Sequence, residues 1–472
     1  MKATLTLLIC VAGLSTWAQT PTAIPLDSLV RLSEKYYNAQ QPDSLYRRLT
    51  PDFKQQVSET DWRAFLTDSY AQTGRWLRSE RIGVGNGFTK YKATFERGTM
   101  LFQLAADDSG SIAGFGLSHY VAPVAGGKKL TTSNPLRLPL DRQLDSIVQA
   151  YNGQHPLIGL SIGILCHDSL FRYGYGETAT GNGQLPNANT LFEIGSVSKT
   201  FTATLLADAI RRGLLRLDDL ISRYLPDSIP PLQRDGVAVT IGMLANHTSG
   251  LPRLPDNFMR LGFSMQNPYR LYDRAALFAF LRMVKLSSTP GTTYEYSNLG
   301  MGLLGTILEL RTGQSYEQQL RAVITQPLGL THTKISLSDA DKKILAQGHT
   351  QSGRPASNWD FGTLAGAGGI CSTVNDLLTY LRAELGMGPE SLTELMQTTQ
   401  QITFRNGQRT IGLAWHQSKI GGNTWFFHNG ATGGYVSFVG FNPQNKTAVV
   451  VLSNAAVKLD DMAIALIRAG QL

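Results

Sequence analysis

The sequence lacks most of the features that mark a metalloprotein, a membrane-spanning protein or a nucleic-acid binder. Only 3 cysteines and 8 histidines occur in 472 residues. No two histidines take an HxH, HxxxH or HExxH spacing, so neither a disulfide framework nor a metal site is expected. Charged residues make up 17% of the chain and lie mostly singly; Arg211-Arg212, Lys128-Lys129 and Lys342-Lys343 are the densest basic clusters. Without a basic stripe or interleaved aromatics, no nucleic-acid partner is expected, and the formal charge of +8 is read as solubility with weak attraction to an anionic envelope. Beyond the first twenty residues no apolar run is long enough to cross a bilayer.

What is present begins with MKATLTLLICVAGLSTWAQT. Lys2 precedes an apolar run from Leu5 to Leu14, and Thr16 and Ala18 stand at minus three and minus one of a cut after Ala18. That pattern is a secretory signal over residues 1–19 and places the mature chain in the periplasm or outside the cell. Cys10 sits inside the apolar run instead of at its end, which argues against a lipoprotein. Cys166 and Cys371 remain after cleavage; a pairing stays open, but their apolar surroundings favour two separate buried thiols.

A chain of this length is too long for one ordinary core, and 42% hydrophobic residues describe globular units. Residues 24–121 read as a small α+β unit. LDSLVRLSEKYYNAQ and DWRAFLTDSYAQ have helical spacing, and YKATF, TMLFQLA and SIAGFGLSH form a meander. The unit resembles the nuclear transport factor two-like cone folds that precede some secreted hydrolases. VAPVAGGKKLTTSNP supplies a linker over residues 122–136. From residue 137 to 472, paired strands at both ends (IGLSIGILC with LFRYGYG, YVSFVGF with TAVVVLS) enclose a long helical middle. This is an α/β domain whose antiparallel sheet is built from both ends around a helical insertion.

Within that domain, Phe201, Leu205, Leu206, Ala209 and Ile210 recur at helical spacing and Gly213 is a C-terminal stop. Ser196 then opens a helix with Lys199 three residues on, on the same face. The pair reads either as two solvated side chains at a plain helix start or, with the lysine desolvated by the domain and a helix start that favours an oxyanion, as a nucleophile with its base. An SxxK match arises by chance about once in a chain of this size. Two further elements follow it in order: Tyr296-Ser297-Asn298 before an apolar helix, and His428-Asn429-Gly430.

With the phrases LFEIGSVSKTFTA, VTIGMLANHTSGLP, PGTTYEYSNLG, QPLGLTHT, AGAGGICSTVNDLLTYL and NKTAVVVLSN, the chain from about Pro139 onward resembles the serine hydrolases of the β-lactamase and penicillin-binding superfamily. Class C β-lactamases, D-alanyl-D-alanine carboxypeptidases and related esterases are the nearest types. The resemblance implies a serine acyl-enzyme with no cofactor. Ser196 would be acylated, and Lys199 and Tyr296 would share the base work, the lysine charge lowering the tyrosine pKa. The backbone N–H groups of Ser196 and of Ala431, on an edge strand, would form the oxyanion hole. Asn298 would bind the acyl-side amide, with a plain helix N-cap as its alternative reading. His428, Asn429 and Gly430 would contact substrate, Gly430 keeping the strand surface clear.

The third element departs from the lysine-threonine-glycine of most β-lactamases. His428 puts a group that titrates near neutrality where a fixed charge is usual, and His247 in NHTSGLP reads as a loop organiser. The partner is therefore a small-molecule or cell-wall peptide substrate carrying an ester or amide. A true β-lactamase and a non-turnover penicillin-binding or sensor protein are the alternatives.

Overall fold

The computed structural model describes residues 26–85, 88–120, 129–258, 264, 266–407 and 409–469. The segment 1–19 expected to be a secretory signal and the first part of the expected linker lie outside the described residues. The chain divides into two compact units between Pro123 and Val124.

In the first unit, helix α1 (Leu26–Asn38) buries Leu29, Val30, Ser33 and Tyr37, and α2 (Glu59–Thr73) starts at Ser58, whose hydroxyl accepts from the Asp61 amide. Four antiparallel strands follow as a meander in chain order: β1 (Trp76–Gly85), β2 (Phe88–Phe95), β3 (Gly98–Ala106) and β4 (Ile112–His119). Their core is aromatic. The Phe102 ring meets Trp76 edge-on at 4.7 Å and Phe115 at 4.9 Å. Sequence periodicity does not single out β1, because as an edge strand it leaves Leu77, Ile82 and Val84 exposed and so shows no clean apolar face.

The second unit is built on an eight-stranded sheet. Strands β5 (Gly159–Cys166) and β6 (Ser169–Gly176) come early; β7 (Phe404–Arg405), β8 (Thr410–Ile411), β9 (His416–Ile420), β10 (Asn423–Ala431), β11 (Val436–Asn442) and β12 (Thr447–Ser453) come late. The order across the sheet is β7-β8-β9-β10-β11-β12-β5-β6, every pair antiparallel. Thr447↔Cys166 through Ser453↔Leu160 joins the last strand to the first, so both ends of the unit do build one sheet. β5 and β12 are buried along nearly their whole length, which requires cover on both faces. Helices α3 (Pro139–Asn152) and α7 (Asp460–Ala469) pack on one face, and the helical middle packs on the other. Thr131–Ser133, read as the end of a linker, run along the edge of β6: Ser133 N donates to Gly174 O and Gly176 N to Thr131 O. No disulfide joins Cys166 and Cys371, and only Cys371 is fully buried.

Helix α4 (Ser198–Arg211) runs through the helical middle. It is buried on all sides from Ser198 to Ala209, not on one apolar face alone. Its threonines make this tolerable. Thr202 Oγ1 donates to Gly366 O at 2.7 Å and lies 2.7 Å from Tyr316 Oη, and Thr204 Oγ1 lies 3.2 Å from Tyr380 Oη. The helix ends at Gly213 (φ +68°), where Gly213 N donates to Ile210 O and Leu214 N to Ala209 O.

Helix α6 (Val374–Glu384) ends in a carboxyl buried in the same core. Glu384 accepts from Trp415 Nε1 at 3.2 Å and Gln400 Nε2 at 2.8 Å, yet burial pushes it up from 4.5 to about 8. Its folded value lies above the unfolded one. Its contribution to stability is therefore complete below about 4.5 and is lost as pH rises toward 8. In urea unfolding, the wild-type midpoint is expected to fall between pH 5 and 9, and Glu384→Gln to flatten that fall; equal slopes would contradict the assignment.

Candidate active site

Ser196 is set by the turn before α4. Gly195 takes φ +49° and the turn Gly195–Val197 leads into the helix. The serine is half-buried, whereas Lys199 is fully buried. The Lys199 Nζ lies 2.9 Å from Ser196 Oγ, 2.9 Å from Asn298 Oδ1 and 2.6 Å from Ala367 O. Burial holds this amine well below its ordinary pKa, and the positive charge of Arg253 pushes the same way. A neutral amine has two N–H groups and one lone pair. Asn298 Oδ1 and the Ala367 carbonyl can only accept, so they take the two N–H groups and leave the lone pair for the Ser196 hydroxyl. The arrangement is that of a base in contact with a proton it can remove.

Ser297 is the N-cap of α5 (Asn298–Thr312), its hydroxyl accepting from Gly300 N at 2.8 Å. The N-cap reading of Asn298 is thereby overturned: its amide is free of the backbone, receives Lys199 at Oδ1 and donates to Tyr269 Oη at 3.2 Å. The Tyr296 side chain lies beside Ser196, with Lys199 Nζ 4.9 Å and Arg253 Cζ 5.0 Å from its ring centre. The expected lowering of its pKa does not occur. Burial raises the phenol above its ordinary 10.0, and the neighbouring Ser196 hydroxyl and Arg253 offset this only in part. A neutral Lys199 has no charge to contribute. His247 organises the loop beneath, as read: its Nδ1 accepts from Ser297 N at 3.3 Å and its carbonyl from Glu295 N at 2.8 Å.

On β10, side chains alternate. His428 and Gly430 face inward; Asn429 and Ala431 face out. His428 is fully buried, and its ring stands 5.3 Å from His416 and 6.3 Å from Tyr296. Burial holds it well below the usual histidine range. The expectation of a group titrating near neutrality against substrate is therefore corrected: His428 is a neutral ring under the cavity floor. Asn429 does line the cavity, its Nδ2 donating to Asp460 Oδ1 at 2.8 Å. Strand β10 is interior to the sheet, not an edge. Its β9 partner stops at His416↔Phe427, however, so His428–Ala431 is paired only with β11.

Gly430 also serves a purpose other than the one expected. A Cβ there would stand 2.1 Å from Ile194 O, 2.5 Å from Ser437 Oγ and 2.9 Å from Ser196 N, so the clearance is used by the protein's own turn. A Cβ at Gly195 would likewise stand 2.7 Å from Ala431 N. The two glycines let the turn and the strand close on each other, which brings the Ser196 and Ala431 amides to one corner of the cavity. The cavity encloses about 670 Å³. Its walls include Arg253, Tyr269, Tyr294, Trp359 and Arg409, none of which the motifs identified. Tyr269 comes from the Asn257–Arg270 loop, of which residues 259–263 and 265 lie outside the described residues.

Gly430→Ala is expected to slow covalent labelling of Ser196 by a fluorophosphonate about a hundredfold, the scale of a roughly 1 Å displacement of reacting groups. Thermal melting would verify that the variant is folded. Labelling at the wild-type rate would show that the turn and strand do not depend on each other.

Comparison with known proteins bears on the unit that holds this cavity. The family model described as Beta-lactamase matches residues 144–471. The chain is 28% identical over 359 residues to a β-lactamase of Lysobacter lactamgenus, covering 69% of this chain and 90% of that protein. It is 27% identical over 297 residues to the D-alanyl-D-alanine-carboxypeptidase/endopeptidase AmpH of Escherichia coli K12, covering 59% and 74%. The solved β-lactamase/D-alanine carboxypeptidase of Pseudomonas syringae superposes with a TM-score of 0.61 at 26% identity, over 71% of this chain and 99% of that one. With the matched family model spanning more than half its length, the chain belongs to the Beta-lactamase family and is a serine hydrolase of that superfamily.

Proposed function

We infer that the protein is an exported hydrolase that cleaves an ester or amide, D-amino-acid peptides among them, through an acyl-enzyme on Ser196. The observation that carries this reading is the buried Lys199 amine, held well below its ordinary pKa by burial, 2.9 Å from Ser196 Oγ. Ser196 Oγ attacks the carbonyl carbon as its proton moves to Lys199, and the carbonyl oxygen becomes an oxyanion facing the amides of Ser196 and Ala431. Tyr296, kept protonated by burial, passes a proton to the departing atom and is restored from Lys199. Asn298, bonded to the same lysine, is also placed to bind the acyl-side amide. Water then attacks the ester and releases the acid. Export rests on the residue 1–19 pattern and is compatible with no described helix being long and apolar enough to span a membrane.

A β-lactamase is the second reading, favoured by relatives of that name. Against it stands the neutral, buried His428, which offers a β-lactam carboxylate no charge.

Ser196→Ala should abolish labelling by fluorescent penicillin and fluorophosphonate; labelling that survives would refute the nucleophile. In the wild type, the acylation rate should fall as pH drops through the depressed Lys199 value, because the amine must be deprotonated to act. No alkaline decline should appear near 10, because Tyr296 titrates higher. A rate that climbs only toward the ordinary lysine value of 10.5 would contradict the neutral base.

A further inference from the structure

We propose that Glu193 is a positioning residue for acyl-group selection: its carboxylate holds Trp359 in the acyl-side wall of the cavity. The proposal rests on the acyl-enzyme reading above and adds to it a side chain that does not itself line the cavity.

Trp359 is part of the cavity wall, yet no helix or strand holds it there, because residues 356–360 have no regular secondary structure. Such a segment takes its place from discrete bonds. Glu193 supplies two of them. Its Oε1 accepts from Trp359 N at 2.9 Å and from Asn358 Nδ2 at 2.8 Å. On either side, Ala356 N donates to Gly348 O and Asp360 N to Asn267 Oδ1, both at 2.8 Å. The indole so placed lies against Gly433, where a Cβ would stand 2.6 Å from Trp359 Nε1.

Glu193 is itself fixed to the nucleophile. It is 5% exposed and stands three residues before Ser196, and Phe192–Glu193 pairs antiparallel with Cys371–Ser372. Burial raises its carboxyl above the usual range, and the neighbouring Thr432 hydroxyl, Asn358 and the Trp359 amide offset this only in part. A buried carboxyl costs free energy that an apolar side chain would not, so packing alone does not account for it. An apolar side chain, however, could not receive two N–H donors from a loop 165 residues away. One carboxylate thereby ties the serine turn to the cavity wall.

Position assigns the side of the substrate. Asn298, placed to bind the acyl-side amide, donates to Tyr269 Oη at 3.2 Å. The Tyr269 ring stands 5.6 Å from Trp359 and stacks on Phe361 at 4.3 Å. Tyr269, Trp359 and Phe361 all line the cavity, so they form an aromatic wall beside the acyl group. An acyl group that carries a ring can pack on it; an acetyl group cannot.

Two esters test this, p-nitrophenyl phenylacetate and p-nitrophenyl acetate, which share a leaving group and differ only in the acyl group. The readout is the ratio of their kcat/KM values. That ratio does not depend on how much of a preparation is folded, so a general loss of stability leaves it unmoved. Trp359→Ala should lower it about tenfold. Glu193→Asp keeps the charge but withdraws the oxygen by one methylene, and should lower the ratio by a comparable factor. Glu193→Gln keeps an acceptor within reach of both donors and should leave the ratio near the wild-type value. In the Trp359→Ala background, Glu193→Asp should lower it no further. A wild-type ratio in Trp359→Ala or Glu193→Asp, a fall as large in Glu193→Gln, or an undiminished effect of Glu193→Asp in the Trp359→Ala background overturns the positioning role while leaving Ser196-dependent hydrolysis intact. Hydrolysis above the spontaneous rate in Ser196→Ala, or none of either ester by the wild type, overturns the acyl-enzyme reading and the positioning role together.

Discussion

A lysine ammonium with no access to water, at the start of a helix buried on all sides, is the constraint from which the rest of the site follows. Burying that charge costs several kcal/mol, and releasing its proton is the cheaper solution. Asn298 Oδ1 and the Ala367 carbonyl fix the amine's two N–H groups, which leaves its lone pair for Ser196. The burial of α4 is therefore a requirement of the chemistry as well as of packing. The threonines along the helix, each satisfied internally, let that helix pass through the core without orphaned hydroxyls.

The same low-polarity setting governs the neighbours. His247, His416 and His428 and the phenols of Tyr294 and Tyr296 form a polar layer that burial keeps uncharged, His416 being lowered to about 4. Charge in the cavity is carried instead by Arg253, Arg409, Lys458 and Asp460 at its walls. The site is thus divided into a dry floor held uncharged and a wetter, charged rim. The close approach of the Gly195 turn and the Gly430 strand connects the two, bringing the backbone of Ala431 beside the turn that carries the serine.

Ser196 and Lys199 were legible because a three-residue spacing at a helix start fixes their relation before any tertiary contact is known. The sheet built from both ends was legible for a similar reason: β5 and β12 are nearly continuous apolar runs, each followed or preceded across turn residues by a second strand, β6 or β11. The ionisation of Tyr296 was not, since it is a balance between burial and charge that only the packed structure decides. His428 was misjudged for a related reason. Whether a β10 residue faces floor or cavity depends on register, and a shift of one residue exchanges the two faces. Arg253 and Arg409 carry no motif at all. They come from segments more than 150 residues apart and meet only because the helical middle folds back against the sheet.

The central claim is that Lys199 is a neutral amine in the resting protein. The most direct measurement is an NMR titration of the Lys199 Nζ in 15N-lysine-labelled full-length protein, the resonance being assigned by its loss in Lys199→Met. The account predicts a neutral-amine shift at pH 7 and a midpoint far below the ordinary 10.5. An ammonium signal that persists to pH 9 or above would contradict it.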